Sequence, residues 1–257
     1  MEDDLLVPER WDRIRASLDQ NGRVTVEELA ERFCVSRSTI RRDLMEMHER
    51  SLLIRTRGGA VRSQMVSFDR PLVESGAVNV EAKEKIGRTA AELISVGETI
   101  MLDSGATTSR VVANLQASNI TLVTNSFAAA TIAMSKPEVE LIMIGGMVRS
   151  HGGATIGPTA EDQTLLFKAD TAILGINGIS AYAGLTTPNL LVAQMKRAMI
   201  RQSKRLIVVA DHTKLSATAL CVVAPIQAVS ILVTDDQADP DMVNDIRNAG
   251  VEVIVAR

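Results

Sequence analysis

From Lys83 onward, short apolar runs alternate with longer stretches of helical periodicity, and this alternation constrains the fold more than any other feature. Seven runs are rich in valine, isoleucine and leucine and are bounded by polar residues or glycine, which predicts seven strands. Apolar strands that alternate with helices indicate a mainly parallel sheet covered on both faces. The sequence therefore predicts an α/β domain over residues 81–257. The predicted strands are residues 99–102, 120–123, 140–144, 171–174, 205–210, 230–234 and 251–255.

The first 62 residues have a different pattern, which predicts three helices followed by a β-hairpin. A first stretch of helical periodicity ends at Asn21. Thr25 and Glu28 have the spacing of a capping box, so a short second helix is expected to begin there. Ser36 is a favourable N-cap for a third helix. Two short apolar runs then flank residues 56–59, where glycines favour a tight turn.

The second and third helices have the arrangement of a helix-turn-helix, and the third has a polar outer face. Arginine and serine side chains near the start of such a helix bind base edges and phosphates in the major groove of DNA. The hairpin carries arginines at its tip, which is typical of a wing that contacts phosphates or the minor groove. The outward residues of the third helix are Arg37, Ser38, Arg41 and Arg42, and those of the wing include Arg55 and Arg57.

The distribution of charge supports DNA binding better than the total charge does. The formal net charge is −3, which alone argues against nucleic-acid binding. Residues 32–62, however, contain eight arginines and three acidic residues, whereas residues 1–31 contain four arginines and nine acidic residues. A basic segment over the predicted third helix and wing is the electrostatic footprint of a DNA-binding surface. The alternative is a solvated helix face, because helix-turn-helix patterns also arise by chance.

The remaining features favour a cytoplasmic protein of two domains. A length of 257 residues suits one small and one medium domain, and residues 63–80 lack periodicity, which predicts a linker. The acidic start is unlike a signal peptide, and no apolar run approaches the roughly 18 residues of a membrane span. The two cysteines lie far apart, and no motif for a metal, nucleotide hydrolysis or a serine nucleophile occurs. No cofactor, metal site or catalytic residue is therefore expected.

Polar or glycine-rich loops follow five of the predicted strands. Ligands bind beyond the carboxyl ends of parallel strands, so these loops predict one pocket for a small polyhydroxylated anion. Small residues let backbone N–H groups approach an anion, and the threonine hydroxyl groups are further donors. The ammonium groups of Lys83, Lys196 and Lys214 would offset the charge of a phosphate. Read alone, each loop is explained by turns and N-caps. The loops contain residues 103–108 (Asp-Ser-Gly-Ala-Thr-Thr), 124–126 (Thr-Asn-Ser), 145–146 (Gly-Gly), 175–178 (Gly-Ile-Asn-Gly) and 211–214 (Asp-His-Thr-Lys).

The sequence resembles the DeoR family of bacterial repressors over nearly its whole length. In the first half the resemblance rests on residues 28–30 (Glu-Leu-Ala), 35–36 (Val-Ser), 39–44 (Thr-Ile-Arg-Arg-Asp-Leu) and 58–60 (Gly-Gly-Ala). In the second half it rests on residues 102–105 (Leu-Asp-Ser-Gly), 124–125, 145–146, 184–187 (Gly-Leu-Thr-Thr), 196–197 (Lys-Arg) and 211–214. The sequence departs from the family pattern at Ser51, Arg57, Val192 and Leu215-Ser216.

The resemblance implies a winged helix-turn-helix domain joined to a sensor domain whose fold is related to ribose-phosphate isomerases and CoA transferases. It implies repression of a carbohydrate-catabolic operon, control by a phosphorylated sugar or sugar derivative, and a dimeric or tetrameric assembly. DNA contacts are then expected on Ser36, Arg37, Ser38, Thr39, Arg41, Arg42, Arg55 and Arg57. Effector contacts are expected on Lys83, Asp103, Ser104, Gly105, Thr107, Thr108, Asn125, Lys196, Asp211 and Lys214.

Two other functions are compatible with parts of the sequence. A sugar-phosphate isomerase would use a carboxylate such as Asp103 or Asp211 as general base. No acid/base pair can be assigned, however, and a basic winged helix would be superfluous to such an enzyme. A protein that shapes DNA without a ligand leaves the five polar loops unexplained. The sequence therefore favours an effector-controlled regulator over an enzyme.

Overall fold

The computed structural model describes residues 7–49, 52–56, 58–61, 64–66, 71–215 and 217–257. The chain divides into two compact units, Met1–Gln64 and Met65–Arg257, each with its own apolar core. Among the described residues, no helix combines the length and the apolar character needed to cross a membrane.

The first unit consists of three helices and a small sheet, as the sequence predicts. Its core is formed by buried side chains from all three helices, including Ile14, Leu29 and Ile40. The capping box is present, because the Glu28 backbone N–H donates to Thr25 Oγ1 at 3.1 Å and the Thr25 N–H donates to Glu28 Oε2 at 3.0 Å. The elements are α1 (Val7–Asn21), β1 (Arg23–Thr25), α2 (Val26–Arg32), α3 (Arg37–Glu49), β2 (Ile54–Thr56) and β3 (Gly59–Val61).

The wing differs from the predicted two-stranded hairpin because a third strand, β1, pairs with β3. The strands lie in the order β1-β3-β2, and all neighbours are antiparallel. The sequence pattern assigns Gly59 to the turn, but Gly59 lies in β3 opposite Thr25. A Cβ atom at Gly59 would lie 1.9 Å from the Val24 carbonyl oxygen. Glycine is therefore required at this position by the close approach of β1.

Replacing Gly59 with alanine is expected to destabilise the first unit by at least the roughly 1–3 kcal/mol typical of overpacking, because the added methyl group meets backbone and cannot be accommodated by a rotamer change. Gly58→Ala is the matched control, since a Cβ atom at Gly58 meets nothing within 4 Å. Urea unfolding followed by the fluorescence of Trp11, the single tryptophan of the chain, measures the change. Equal midpoints for the two variants would contradict this account of the wing.

The strands from residue 64 onward are β4 (Gln64–Val66), β5 (Thr99–Leu102), β6 (Ile120–Thr124), β7 (Val139–Met143), β8 (Met147–Arg149), β9 (Ala154–Ile156), β10 (Ala169–Gly175), β11 (Gly178–Ser180), β12 (Gly184–Thr187), β13 (Ser203–Val209), β14 (Ala217–Ala219), β15 (Cys221–Ala224), β16 (Ile231–Asp235) and β17 (Glu252–Ala256). The second unit is built around seven parallel strands in the order β17-β16-β13-β10-β5-β6-β7. These are the seven strands that the apolar runs predict.

Helices cover both faces of this sheet. Alternation along a strand places successive side chains on opposite faces, and accordingly Ile100 and Leu102 belong to one apolar core whereas Met101 belongs to the other. The helices are α4 (Leu72–Ala77), α5 (Val80–Ala91), α6 (Ala106–Asn114), α7 (Phe127–Ala133), α8 (Pro158–Leu165), α9 (Leu190–Arg201) and α10 (Pro240–Asn248). The core that contains Ile100 and Leu102 includes side chains from α5, α6 and α7, and the core that contains Met101 includes side chains from α8, α9 and α10.

Two features of the second unit differ from the sequence-based expectation. Small ladders join β8 with β9, β14 with β4, and β11 with β12 and β15, and none was predicted. The predicted linker, residues 63–80, contains β4, α4 and the first residue of α5. No side chain of α4 is buried, so its sequence has no apolar period from which a helix could be predicted.

Candidate functional site

The start of α3 presents a polar surface to solvent. Arg41 and Arg42 are exposed, whereas Ile40 and Leu44 on the opposite side of the helix are completely buried. Ser36 caps the helix by accepting a hydrogen bond from the Thr39 backbone N–H at 3.1 Å, as predicted. The remaining outward residues, Arg37 and Ser38, are also exposed, and Thr39 is half-buried.

A buried ion pair fixes α3 against α1. The Asp43 carboxylate accepts hydrogen bonds from Arg10 Nε at 2.5 Å, Arg10 Nη2 at 3.0 Å and Trp11 Nε1 at 3.2 Å. Arg10 and Asp43 are only 6% and 4% exposed. Asp43 follows Arg42 directly, so the ion pair anchors the same turn of α3 that carries the outer arginines. Its role was not predicted, because the sequence does not show that Arg10 and Asp43 meet.

The structure places one of the two predicted wing arginines. Arg55 is half-buried on β2, and its Nη1 lies 3.6 Å from Met45 Sδ on α3. Arg57 lies outside the described residues, as does Ser51. The start of α3 and the described part of the wing therefore form the candidate DNA interface of the first unit.

In the second unit, the structure brings most of the predicted effector residues to one edge of the parallel sheet. Strands β13, β10, β5 and β6 are neighbours in this order, and they end at or just before the candidate loops. Asp211, Asp103 and Asn125 therefore follow three of these strands, and Gly175 is the last residue of the fourth. The fifth predicted loop follows β7 at the end of the sheet, where the Gly145 N–H donates to Gln163 Oε1 at 2.7 Å.

Lys196 on α9 and Asp103, which follows β5, form a buried ion pair. Asp103 is 1% exposed and Lys196 is 3% exposed, and the ammonium group donates both to Asp103 Oδ2 and to the Gly175 carbonyl oxygen, the latter at 2.9 Å. Lys196 on α9 thereby joins the ends of β5 and β10. The sequence identified both residues as candidates but did not show that they pair across 93 positions.

Lys83 and Asp211 form a second buried pair, in which the ammonium nitrogen lies 3.5 Å from Asp211 Oδ2. Burial lowers the pKa of Lys83 below its ordinary value, and the neighbouring Asp211 carboxylate offsets only part of this effect. Burial opposes ionisation of Asp211, but hydrogen bonds from Thr213 and the nearby cations Lys214 and Lys83 outweigh it, so the Asp211 pKa is lowered.

The other predicted residues differ in how accessible they are. Thr107 and Thr108 are buried, and the Thr108 hydroxyl donates to the carbonyl oxygen of Gly105, the N-cap residue of α6, at 3.0 Å. Ser104, Gly105 and Lys214 are partly exposed. Asn125 is 1% exposed, and its Nδ2 donates to the Thr155 carbonyl oxygen at 2.9 Å. Within the described part of the chain, its buried Oδ1 has no hydrogen-bond partner.

Two residues near this edge were not among the predicted site residues. Asp235, at the end of β16, is completely buried and accepts a hydrogen bond from the His212 backbone N–H at 2.6 Å. Its other oxygen lies 2.8 Å from His212 Nδ1. The Asn79 side-chain amide nitrogen lies 3.4 Å from Asp211 Oδ1.

The described residues contain no cluster of three or more histidine, cysteine or acidic side chains suited to a metal.

Comparison with known families decides what these two units are. Residues 10–65 match the DeoR-like helix-turn-helix domain, and residues 78–236 match the DeoR C terminal sensor domain. The chain belongs to the DeoR family. It is therefore a DNA-binding transcriptional regulator, and the predicted combination of a winged helix with an α/β sensor domain is confirmed.

Two relatives of this DeoR-family protein are named as repressors. It is 34% identical to the HTH-type transcriptional repressor GlcR of Bacillus subtilis, over 96% of this chain and 95% of the relative. It is 37% identical to the glycerol-3-phosphate regulon repressor of Escherichia coli, over 88% and 90% of the two chains. Ribose 5-phosphate isomerase A of Methanocaldococcus jannaschii shares 18% identity over 55% of each chain, with a TM-score of 0.39, which is too low to bear on function.

Proposed function

We propose that this regulator binds operator DNA through α3 and the wing, and that a phosphorylated sugar or sugar derivative bound at the carboxyl edge of the parallel sheet controls this binding. The predicted DNA and effector residues named above are the proposed contacts. Among the relatives, one is named for a glycerol-3-phosphate regulon and another as a putative aga operon transcriptional repressor, which supports this class of effector. As in these relatives, the proposed action is repression.

The observation that carries the proposal is the set of buried polar groups at adjacent strand ends. Lys83 and Lys196 are buried beside Asp211 and Asp103, at the strand ends beyond which parallel sheets bind their ligands. The buried Asn125 Oδ1 lacks a partner among the described residues, at a cost of about 1–3 kcal/mol, and a ligand hydroxyl would satisfy it. Ammonium groups, carboxylates and an amide oxygen together suit a phosphate bearing hydroxyl groups.

The proposed assembly is a homo-oligomer in the cytoplasm. Most soluble homo-oligomers are symmetric. A two-fold axis would pair the recognition helices of two subunits with the two halves of a palindromic operator. This proposal is supported by the recognition helix in the first unit and by the family to which the chain belongs.

Isothermal titration calorimetry with glycerol 3-phosphate, fructose 1-phosphate and glucose 6-phosphate tests the effector proposal. Glycerol, fructose and glucose are the matched controls without phosphate. We expect one phosphorylated compound to bind and its unphosphorylated counterpart to bind much more weakly. Binding of the free sugar with equal affinity, or no binding by any phosphorylated compound, would contradict the proposed class of effector.

The effector affinity is expected to fall as the pH rises, and the fall should begin below pH 10.4, the approximate pKa of an ordinary lysine. A lowered pKa means that Lys83 loses its charge earlier as the pH rises, whereas a phosphate monoester, with a second pKa of about 6, stays dianionic throughout this range. Calorimetric titrations from pH 7 upward measure the decline. Lys83→Met should bind more weakly at neutral pH and lack this decline. A parent affinity that follows the same pH profile as the variant would rule out a contact between Lys83 and the phosphate.

A further inference from the structure

At the carboxyl edge of the sheet, one histidine joins the end of β13 to the end of its neighbour β16. His212 follows Asp211 after β13 and begins a single turn of 3-10 helix, His212–Lys214. Its backbone N–H donates to Asp235 Oδ1 at 2.6 Å, and its Nδ1 lies 2.8 Å from Asp235 Oδ2. Asp235 is the last residue of β16 and is completely buried. One carboxylate therefore fixes both the backbone and the ring of His212.

These contacts determine which nitrogen of the His212 ring carries the hydrogen atom. A carboxylate only accepts hydrogen bonds, so Nδ1 is the donor to Asp235. In a neutral imidazole the other nitrogen, Nε2, then has a free lone pair and is an acceptor. Within the described part of the chain, Nε2 makes no hydrogen bond, and the His212 side chain is 24% exposed whereas that of Asp235 is 0% exposed. Because Nδ1 faces a buried carboxylate, the side of the ring open to solvent is the one that carries Nε2.

This acceptor lies at the same edge of the sheet as the proposed effector groups. Asp211, the preceding residue, is paired with Lys83, and Lys214 ends the turn that His212 begins. Asp211 and Asp103 could also accept a hydrogen bond from a ligand hydroxyl, but each already faces a buried ammonium group. The His212 Nε2 is an acceptor at this edge that no cation of the described residues occupies.

We propose that His212 is an effector-binding residue whose Nε2 accepts a hydrogen bond from a hydroxyl group of the phosphorylated sugar, and that Asp235 is the positioning residue that sets its tautomer. The inference rests on the proposed function. Asp235 holds the ring in place before the ligand arrives, so little ordering of this side chain opposes binding. A ligand group that can only accept hydrogen bonds is disfavoured at this nitrogen, which selects for a hydroxyl group.

Asp235→Asn tests the proposal because it should invert the tautomer of His212. The Oδ1 atom of the variant must still accept the backbone N–H of His212, so its Nδ2 faces the ring and donates to Nδ1. Nε2 then carries the hydrogen and becomes a donor. Only the long contact from the Gln237 N–H, 3.4 Å from Oδ2, is lost. Asp236→Asn is the matched control, since it removes the same charge at the next position, where the exposed Asp236 pairs with Lys85 at 3.6 Å.

Calorimetric titration near pH 8, above the ordinary histidine pKa of about 6.5, measures the affinity for whichever of glycerol 3-phosphate, fructose 1-phosphate and glucose 6-phosphate binds the parent. We expect Asp235→Asn to weaken this binding by about 2- to 10-fold, the effect of one hydrogen bond, while Asp236→Asn keeps the parent affinity. His212→Asn is a second variant, because its amide can donate to Asp235 from the position of Nδ1 but has no atom at the position of Nε2. It should weaken binding to a similar extent.

Nitrogen-15 NMR of the histidine side chains reports the tautomer directly, and the chain has three histidines, so the signals missing from His212→Asn identify His212. We expect Nδ1 to carry the hydrogen in the parent and Nε2 to carry it in Asp235→Asn. The Nε2 signal of the parent should shift when the compound saturates the protein.

A parent that binds a compound with no change in the Nε2 signal would overturn this inference and leave the proposed function intact. The same holds for an Asp235→Asn variant that has the inverted tautomer but the parent affinity. Equal losses of affinity in Asp235→Asn and Asp236→Asn would overturn the role of Asp235, because they would reflect the lost charge alone. A parent that binds none of the compounds would overturn both the inference and the proposed function.

Discussion

Replacing Arg41 and Arg42 together with alanine should abolish sequence-preferring DNA binding while the fold of the first unit survives. Both side chains are exposed at the start of α3, so their removal leaves no cavity and no buried charge. An arginine that binds a base edge through two hydrogen bonds contributes about 1–3 kcal/mol. The loss of two such contacts is expected to weaken operator binding by about 30-fold or more.

Fluorescence anisotropy with operator DNA and with a scrambled sequence measures this change. The matched control is Arg13→Ala with Arg15→Ala, which removes the same charge from exposed positions on α1. The control should keep the preference for the operator, since its arginines lie outside the recognition helix. A lower slope of affinity against salt concentration would indicate lost phosphate contacts. If the variant at 41 and 42 bound operator as the parent does, the assignment of α3 as recognition helix would be wrong.

Asp43→Ala is expected to destabilise the first unit by about 3–5 kcal/mol, the range found when one partner of a buried ion pair is removed. The substitution leaves the Arg10 guanidinium group, 6% exposed, without the carboxylate that it contacts at 2.5 and 3.0 Å. It also removes the acceptor for Trp11 Nε1. The orientation of α3, and with it DNA binding, should be lost at temperatures where the parent is folded.

Urea unfolding followed by Trp11 fluorescence measures this loss, because Trp11 lies on α1 beside the ion pair. The matched control is Arg10→Met with Asp43→Leu, which removes both charges and keeps apolar volume. Replacing both partners of a buried pair is often neutral or stabilising, so the control should recover most of the lost free energy. An Asp43→Ala variant with the unfolding midpoint of the parent would show that the pair does not hold α3 in place.

The major elements were predictable because each has a strong local signal. The seven parallel strands are buried on both faces, and their sequences are therefore nearly continuous apolar runs. The start of α2 was predictable from Thr25 and Glu28, because a capping box is formed by residues three positions apart. By contrast, β1 and β8 have three residues each, which is too few to show the apolar pattern of a strand, and they pair with distant or turn-forming segments.

The candidate site was predictable as a set of loops but not as a set of contacts. The position of Asp103 just after a buried strand marked it as a site residue, whereas Asp235, the last residue of β16, was missed. The pairing of Lys196 with Asp103 depends on the placement of α9 over β5 and β10, which no sequence spacing gives. Asn79 was assigned to an irregular linker, because a single left-handed residue has no periodic signal.

The proposed function requires that one chain couple the binding of operator DNA to that of a phosphorylated effector. The most direct test is fluorescence anisotropy with DNA fragments from upstream of the protein's own gene, repeated with each phosphorylated compound and its free sugar. We expect tight, salt-sensitive binding to one fragment, with an affinity that one phosphorylated compound changes and its free sugar does not. Binding without sequence preference under every condition, or an equal response to the free sugar, would contradict it.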